Sequence, residues 1–254
     1  MGTIPTLRSE GVQAGNGVVS TREAVYGPAN TLWKFAPVLE AVQDPAGYAL
    51  FEDDFYGLDT TNNYTLVTDA GGTAALNDQA NGVLLITNNG SDNDESYLSS
   101  KAESWLFAAS KPLWFEAYVT GVGEHNFVVG LSDTVGANFL QDSEAGPAAS
   151  YDGAVFFVDG GAVWKFETSN AGTQVTTASA GTYTTATGIR LGFIFDPNDG
   201  TTGKITPYVN GVVGTTHDIT LSGLEEMHLV FGAKNKTAAA AVFAVDYARV
   251  LQAR

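Results

Sequence analysis

From Tyr48 to the C-terminus the chain is a succession of short apolar, β-branched and aromatic runs separated by turn residues. This punctuation constrains the fold more than any other feature, because many short strands with regular turn signals specify a sandwich or barrel. Leu113-Trp114-Phe115-Glu116-Ala117-Tyr118-Val119 has the composition of a strand, and Asn126-Phe127-Val128-Val129-Gly130-Leu131 follows a connection containing Gly121 and Gly123. Runs at 154–158 and 162–167 flank Asp159-Gly160-Gly161, whose Asp-Gly pair supplies the positive φ of a tight hairpin. Ile189 to Phe195 ends at the turn Asp196-Pro197-Asn198-Asp199-Gly200, and Ile205 to Val209 turns at Asn210-Gly211 into Val212-Val213. Met227 to Phe231 and Val242 to Val250 complete the set. Strand–helix alternation is missing, so a parallel α/β fold is not expected. Ala102 to Ala109 is expected to form one or two helical turns, and Thr237 to Ala241 a loop feeding the last strand. The 254 residues suit one large β domain or two small ones.

Residues 1–48 differ in texture. They hold Pro5, Pro28, Pro37 and Pro45 and have no sustained period. Thr31-Leu32-Trp33-Lys34-Phe35-Ala36-Pro37-Val38-Leu39 concentrates large apolar residues in a stretch too short and too proline-broken to form its own core. It must pack elsewhere, either as a strap on the following domain or as an arm reaching a neighbouring subunit. The segment is nearly neutral: Arg8, Arg22 and Lys34 stand against Glu10, Glu23, Glu40 and Asp44. The chain as a whole carries −16, from 12 Lys+Arg and 28 Asp+Glu, so almost all of the acidity falls on residues 49–254. The expected organisation is an extended arm, 1–48, and a β-sandwich, 49–254.

That charge excludes a phosphate-neutralising surface, so no nucleic-acid partner is expected. No run approaches the ~18 apolar residues of a membrane span, and the N-terminus has no apolar core of a secretory signal. Cysteine is absent, which removes disulfides, thiolate nucleophiles and thiolate metal sites. His125, His217 and His228 show no metal-ligand spacing and read as surface or structural histidines. No Gly-x-Ser-x-Gly elbow or phosphate-cradling glycine loop occurs. Among the carboxylates, Glu116 could be an inward-facing acid and Glu124 lies in a loop, but no strand presents two acids on one face as glycoside hydrolysis needs. Asn88-Asn89-Gly90-Ser91-Asp92-Asn93-Asp94-Glu95 gathers oxygen ligands of the kind Ca²⁺ prefers without matching the twelve-residue calcium loop, and reads as a solvated hairpin loop. Trp33, Trp105, Trp114 and Trp164 are the candidates for stacking on sugar rings, with Trp114 and Trp164 placed in strands as core residues. No cofactor is expected.

Several segments resemble the concanavalin A-like (laminin-G-like) jelly rolls over residues 49–251. Ala49-Leu50-Phe51-Glu52-Asp53-Asp54-Phe55 is similar to their opening strand, and Pro112 to Ala117 with Val129 to Ser132 to a pair of central strands. Residues 204–211 resemble their Asn-Gly hairpin, and Val245 to Val250 the strand that returns onto the first. The resemblance implies an all-β, two-sheet antiparallel jelly-roll sandwich. The Glu-x-Asp-x-x-Glu strand of the glycosidases in that superfamily is missing, which implies that the chain is not an enzyme. The polar arm with Gly11-Val12-Gln13-Ala14-Gly15-Asn16-Gly17, ahead of an acidic, cysteine-free sandwich, resembles the cement or decoration proteins of tailed-bacteriophage heads. That resemblance implies a structural protein on the outer capsid surface of a virion, bound to the major capsid protein and to itself as a homotrimer. Leu32, Trp33, Phe35 and Val38 would anchor the arm, and Arg8, Arg22 and Lys34 would pair with capsid carboxylates. The competing readings are a lectin-like carbohydrate-binding module and a glycoside hydrolase with diverged acids.

Overall fold

The computed structural model describes residues 32, 33, 36–69, 71–77 and 82–254. Among them, sixteen strands, numbered along the chain, form two antiparallel sheets. The nine-stranded sheet contains β1 (Tyr48–Asp53), β3 (Thr73–Leu76), β4 (Leu84–Thr87), β6 (Leu113–Val122), β11 (Ile189–Pro197), β12 (Thr202–Val209), β13 (Val212–Val213), β14 (His217–Thr220) and β16 (Val242–Ala253). The seven-stranded sheet runs β10 (Thr173–Thr182), β9 (Val163–Asn170), β8 (Gly153–Asp159), β7 (Asn126–Ser132), β15 (His228–Lys234), β5 (Glu95–Ser100), β2 (Tyr64–Thr68). Among the described residues, one α-helix, α1 (Val38–Gln43), precedes β1. No described helix is long and apolar enough to cross a membrane.

Alternate residues of the two sheets meet in one core. Phe115, Ala117 and Val119 of β6, Phe193 and Phe195 of β11, and Phe127, Val129 and Leu131 of β7 all point into it. Phe115 stacks on Phe193 at 4.9 Å, and Phe127 of one sheet stacks on Phe243 of the other at 5.2 Å. Strand β16 closes the nine-stranded sheet. One of its sides pairs with β6; the other pairs with β4 over Val242–Val245 and with β1 over Ala248–Ala253. The return of the last strand onto the first is as the sequence implies.

The hairpins expected at Asp159-Gly160 and Asn210-Gly211 form, β8 with β9 and β12 with β13. Residues 237–241 form the loop that feeds β16. The helical turns expected at Ala102 to Ala109 do not form. That segment is extended, with bridges Trp105–Met227 and Ala108–Lys111. A period of two wins there because it sends Trp105 and Phe107 together into the core, at 5% and 1% exposure.

His217 ties the sheets at one end. Its Nδ1 lies 3.1 Å from Thr168 Oγ1 on β9, its Nε2 2.8 Å from Thr177 Oγ1 on β10, and its ring 5.1 Å from that of Phe166. It is a satisfied structural histidine. Burial holds its pKa below the ordinary 6.5, and burial does the same to His125. The unfolded chain therefore binds protons first as pH falls through about 6.5, and stability drops below that value. Urea denaturation should show a lower unfolding free energy at pH 5.5 than at pH 7.5, with a shallower decline in His217→Gln. An unchanged slope in the variant would contradict this account.

Candidate functional site

Each sheet also carries buried side chains on its outer face, the face turned away from the core. On the seven-stranded sheet, Tyr97, Val128, Val155, Phe157 and Val230 form a second apolar cluster with Phe139, Leu140 and Tyr151. The last three come from the β7–β8 connection, residues 133–152, which crosses this face as a strap. On the nine-stranded sheet, Trp114, Leu251 and the half-buried Ile194 and Tyr208 receive Leu32, Trp33, Ala36 and Ala41. These two covered faces hold buried Lys234, Glu95, Glu116 and Glu167.

Under the strap, Lys234 is fully buried. Its Nζ lies 3.3 Å from Glu95 Oε2, 2.7 Å from Asp142 Oδ1 and 3.0 Å from Asn138 Oδ1. Glu95 stands directly opposite Lys234 in the β5–β15 register. It also accepts hydrogen bonds from Tyr97 Oη (2.9 Å) and the Asn138 amide (2.5 Å), and Leu140 N donates to Tyr97 Oη at 2.9 Å. The pair thus fastens the strap to the sheet. Lys236 adds a contact to Glu144 at 3.0 Å. Asn138, Ser143 and Glu144 lie in the left-handed region at φ near 60°, a conformation that non-glycine residues hold where surrounding contacts fix it.

At the other end of the strap sits Glu167 of β9. It accepts from Tyr151 Oη (3.1 Å), Gln174 Nε2 (3.0 Å) and Thr176 Oγ1 (2.5 Å). Burial raises its pKa in spite of these donors. The same burial, together with the Glu167 charge, pushes the Tyr151 hydroxyl well above the usual phenol range. The strap's base is clamped by Asp133 Oδ1, which accepts from Asp152 N, and by Asp152, which accepts from Ala171 N and Glu225 N.

On the nine-stranded sheet, Glu116 faces outward, not toward the core as the sequence suggested, because its neighbours Phe115 and Ala117 take the inward positions of β6. Its Oε1 accepts from Arg249 Nη2 at 2.9 Å and Tyr247 Oη at 2.8 Å. The Arg249 guanidinium lies 4.2 Å from the centre of the Trp33 ring. Desolvation, with the Glu116 charge, raises the Tyr247 pKa.

Of the residues expected to anchor the arm to a partner, Leu32 and Trp33 are buried at 2% and 1% exposure against their own sheet, and Val38 is half-buried beside them. Arg8, Arg22, Lys34 and Phe35 lie outside the described residues. None of the four tryptophans offers an open stacking platform: Trp105, Trp114 and Trp164 are buried as well. Trp105 instead borders an open groove of 330 Å³, lined also by Phe51, Asp53, Asn62, Tyr64 and Lys101. Glu124 is exposed in its loop.

The 88–95 segment is not a hairpin loop; it carries the chain from β4 in one sheet to β5 in the other. Its carbonyls are used internally, since Asn235 Nδ2 donates to the Asn89 and Ser91 carbonyls at 2.5 and 2.7 Å, and Asn88 Nδ2 to the Asp94 carbonyl at 2.9 Å. Asp199 closes its turn by accepting from Thr201 and Thr202, which pulls its pKa down. Among the described residues, no three His, Asp or Glu side chains converge to hold a metal ion. The sequence pattern does not announce the strap or the Lys234 cluster. Their only signal was a rare lysine at the end of an apolar strand.

The architecture is that of the concanavalin A-like, legume-lectin-like jelly rolls. Peanut lectin matches with a TM-score of 0.55 at 12% identity, covering 81% of this chain and 97% of that one. An endo-1,3-β-glucanase from Streptomyces sioyaensis matches with a TM-score of 0.55 at 16% identity, covering 82% and 97%. A Shewanella oneidensis protein of unknown function matches with a TM-score of 0.55 at 16% identity, covering 82% and 87%. No protein-family model and no curated protein sequence matches the chain. The glucanase corrects one expectation. Absence of the Glu-x-Asp-x-x-Glu strand led to the inference that the chain is not an enzyme, but the same fold carries an endo-glucanase and a lectin equally well. Activity resides in sites and not in folds, so the fold leaves enzyme status open.

Lys234→Met tests the strap's fastening. It would leave Glu95 buried without its cation, a loss of about 3–5 kcal/mol. Proteolysis should then cut within 133–152 before the rest of the chain. Lys204→Met, which breaks the exposed Lys204–Asp218 pair, should cost under about 1 kcal/mol. Equal effects of the two substitutions would show that Lys234 does not fasten the strap.

Proposed function

We propose that the chain is a structural protein of a phage virion, decorating the outer capsid surface through residues 1–31 and through contacts between copies. The observation that supports this reading is the docking of Leu32 and Trp33 on the nine-stranded sheet. It roots the N-terminal segment firmly on the sandwich, so that a preceding stretch bound to a capsid would carry load into a folded body. Trp33 is the strong point of that root, because large aromatic anchors in closed pockets carry most of the energy of such contacts. The acidity of the sandwich suits an outward-facing domain, since high net charge keeps particles apart. Removal of residues 2–31 should leave a folded chain that no longer binds purified capsid shells. Full occupancy by the truncated chain would overturn the proposal.

Carbohydrate recognition is the second reading. It is favoured by the likeness to peanut lectin and by the groove beside Trp105, where an aromatic edge meets Asp53, Asn62 and Lys101. It requires glycan binding that Asn62→Ala or Asp53→Ala weakens. A glycan array that is blank both with and without Ca²⁺ would remove it.

A further inference from the structure

Among the described residues, strand β10 forms one edge of the seven-stranded sheet and pairs with β9 alone. An edge strand presents unpaired N–H and C=O groups, and soluble proteins normally blunt such edges with charge, proline, short length or a covering segment. β10 has little of this protection. It is ten residues long and almost wholly exposed. Between Glu167 and Arg190 the sequence contains no Asp, Glu, Lys, Arg, His or Pro. β1, by contrast, is a six-residue edge that carries Glu52 and Asp53, and β13 has two residues. The composition of β10, rich in threonine with Val175 at its centre, is that of a segment with high strand propensity and no charge. In a chain of net charge −16 this neutrality is unusual.

The strand is also divided. Thr173–Thr177 keeps a regular register with β9, and a bulge lies between Thr177 and Gly181. Beyond the bulge the strand turns toward β12, where a Cβ added at Gly181 would stand 2.7 Å from Val209 Cγ1. Among the described residues, no strand pairs with the outer edge of the first half. Val175 is 43% exposed there and lines a small cavity with Ile219. The nearest acids are already neutralised or enclosed: Glu167 is buried under three donors, and Asp218 pairs with Lys204 at 2.6 Å.

We propose that residues Thr173–Thr177 form a self-association edge, joining two copies of this chain by antiparallel β10–β10 pairing across a two-fold axis near Val175. The occupant follows from charge. Two bodies of −16 each repel wherever their acidic surfaces meet, and the neutral edge is where they approach at least Coulomb cost. A two-fold operator makes the pairing antiparallel automatically, so one patch serves both copies. Each copy would satisfy the other's free backbone groups and cover the other's Val175. The inference does not depend on the capsid reading, because the purified chain alone is sufficient to test it.

The test is the mass of the full-length chain in solution by sedimentation and light scattering, at several concentrations. A monomer–dimer equilibrium is expected, tightening as salt rises from about 0.05 M to about 0.5 M because the repulsion is screened. Val175→Lys places two ammonium groups at the axis and should weaken the dimer by about tenfold or more. Val212→Lys, on the exposed β13, should leave it unchanged. Thermal unfolding of both variants reports that the fold is retained. A wild-type chain that stays monomeric at about 100 µM, far above the dissociation constants typical of stable interfaces, would overturn the proposal. A dimer or trimer indifferent to Val175→Lys would overturn it equally.

Discussion

Burial of both faces of the central strands of both sheets is the constraint on which the rest of this structure depends. An antiparallel sheet normally packs one face on the core and gives the other to water. Here the outer face of each sheet carries its own apolar cluster, so each needs a cover. The chain supplies both covers itself. Leu32, Trp33, Ala36 and Ala41 cover the nine-stranded sheet, and Phe139, Leu140 and Tyr151 of residues 133–152 cover the seven-stranded one. The chain therefore stacks in four layers with three apolar interfaces between them.

Closing those faces traps charge, and each trapped charge is matched. Lys234 stands between Glu95 and Asp142, Arg249 meets Glu116, and Glu167 is held by three neutral donors. A buried ion pair contributes little net stability over an apolar replacement, yet losing one partner is costly. The pairs therefore act mainly as fasteners that fix where each cover sits. The same arrangement explains why a chain with a large negative charge still buries one of its few lysines completely.

Much of the sandwich was legible in the sequence because turns and alternation are local signals. Asp159-Gly160 and Asn210-Gly211 marked hairpins whose strands pair as expected. The fate of Ala102 to Ala109 was hidden because its alanines favour a helix locally, while Trp105 is held by its bridge to Met227 and Phe107 by the Phe193 and Phe195 rings of β11, all distant in sequence. The strap was hidden for a related reason. Phe139, Leu140 and Tyr151 are scattered in a polar, glycine-containing stretch, and only the outward-facing apolar residues of β5, β7, β8 and β15 give them a destination. Glu116 showed its chemistry but not its direction, since β6 is apolar on both faces. The Glu95–Lys234 pair joins strands far apart in sequence, which no local pattern reports.

The nine-stranded sheet is covered by Leu32, Trp33, Ala36 and Ala41 from the chain's own N-terminal segment. A Cβ added at Gly192 would stand 2.5 Å from Leu32 Cδ1, so the Leu32 methyls lie against the β11 backbone. Nuclear Overhauser measurements on methyl-labelled full-length protein test this directly. The account predicts cross-peaks from the Leu32 methyls to the Gly192 backbone protons, and from the Trp33 ring to the Arg249 side chain. Leu32 methyls with random-coil shifts and no cross-peaks to β11 would contradict it.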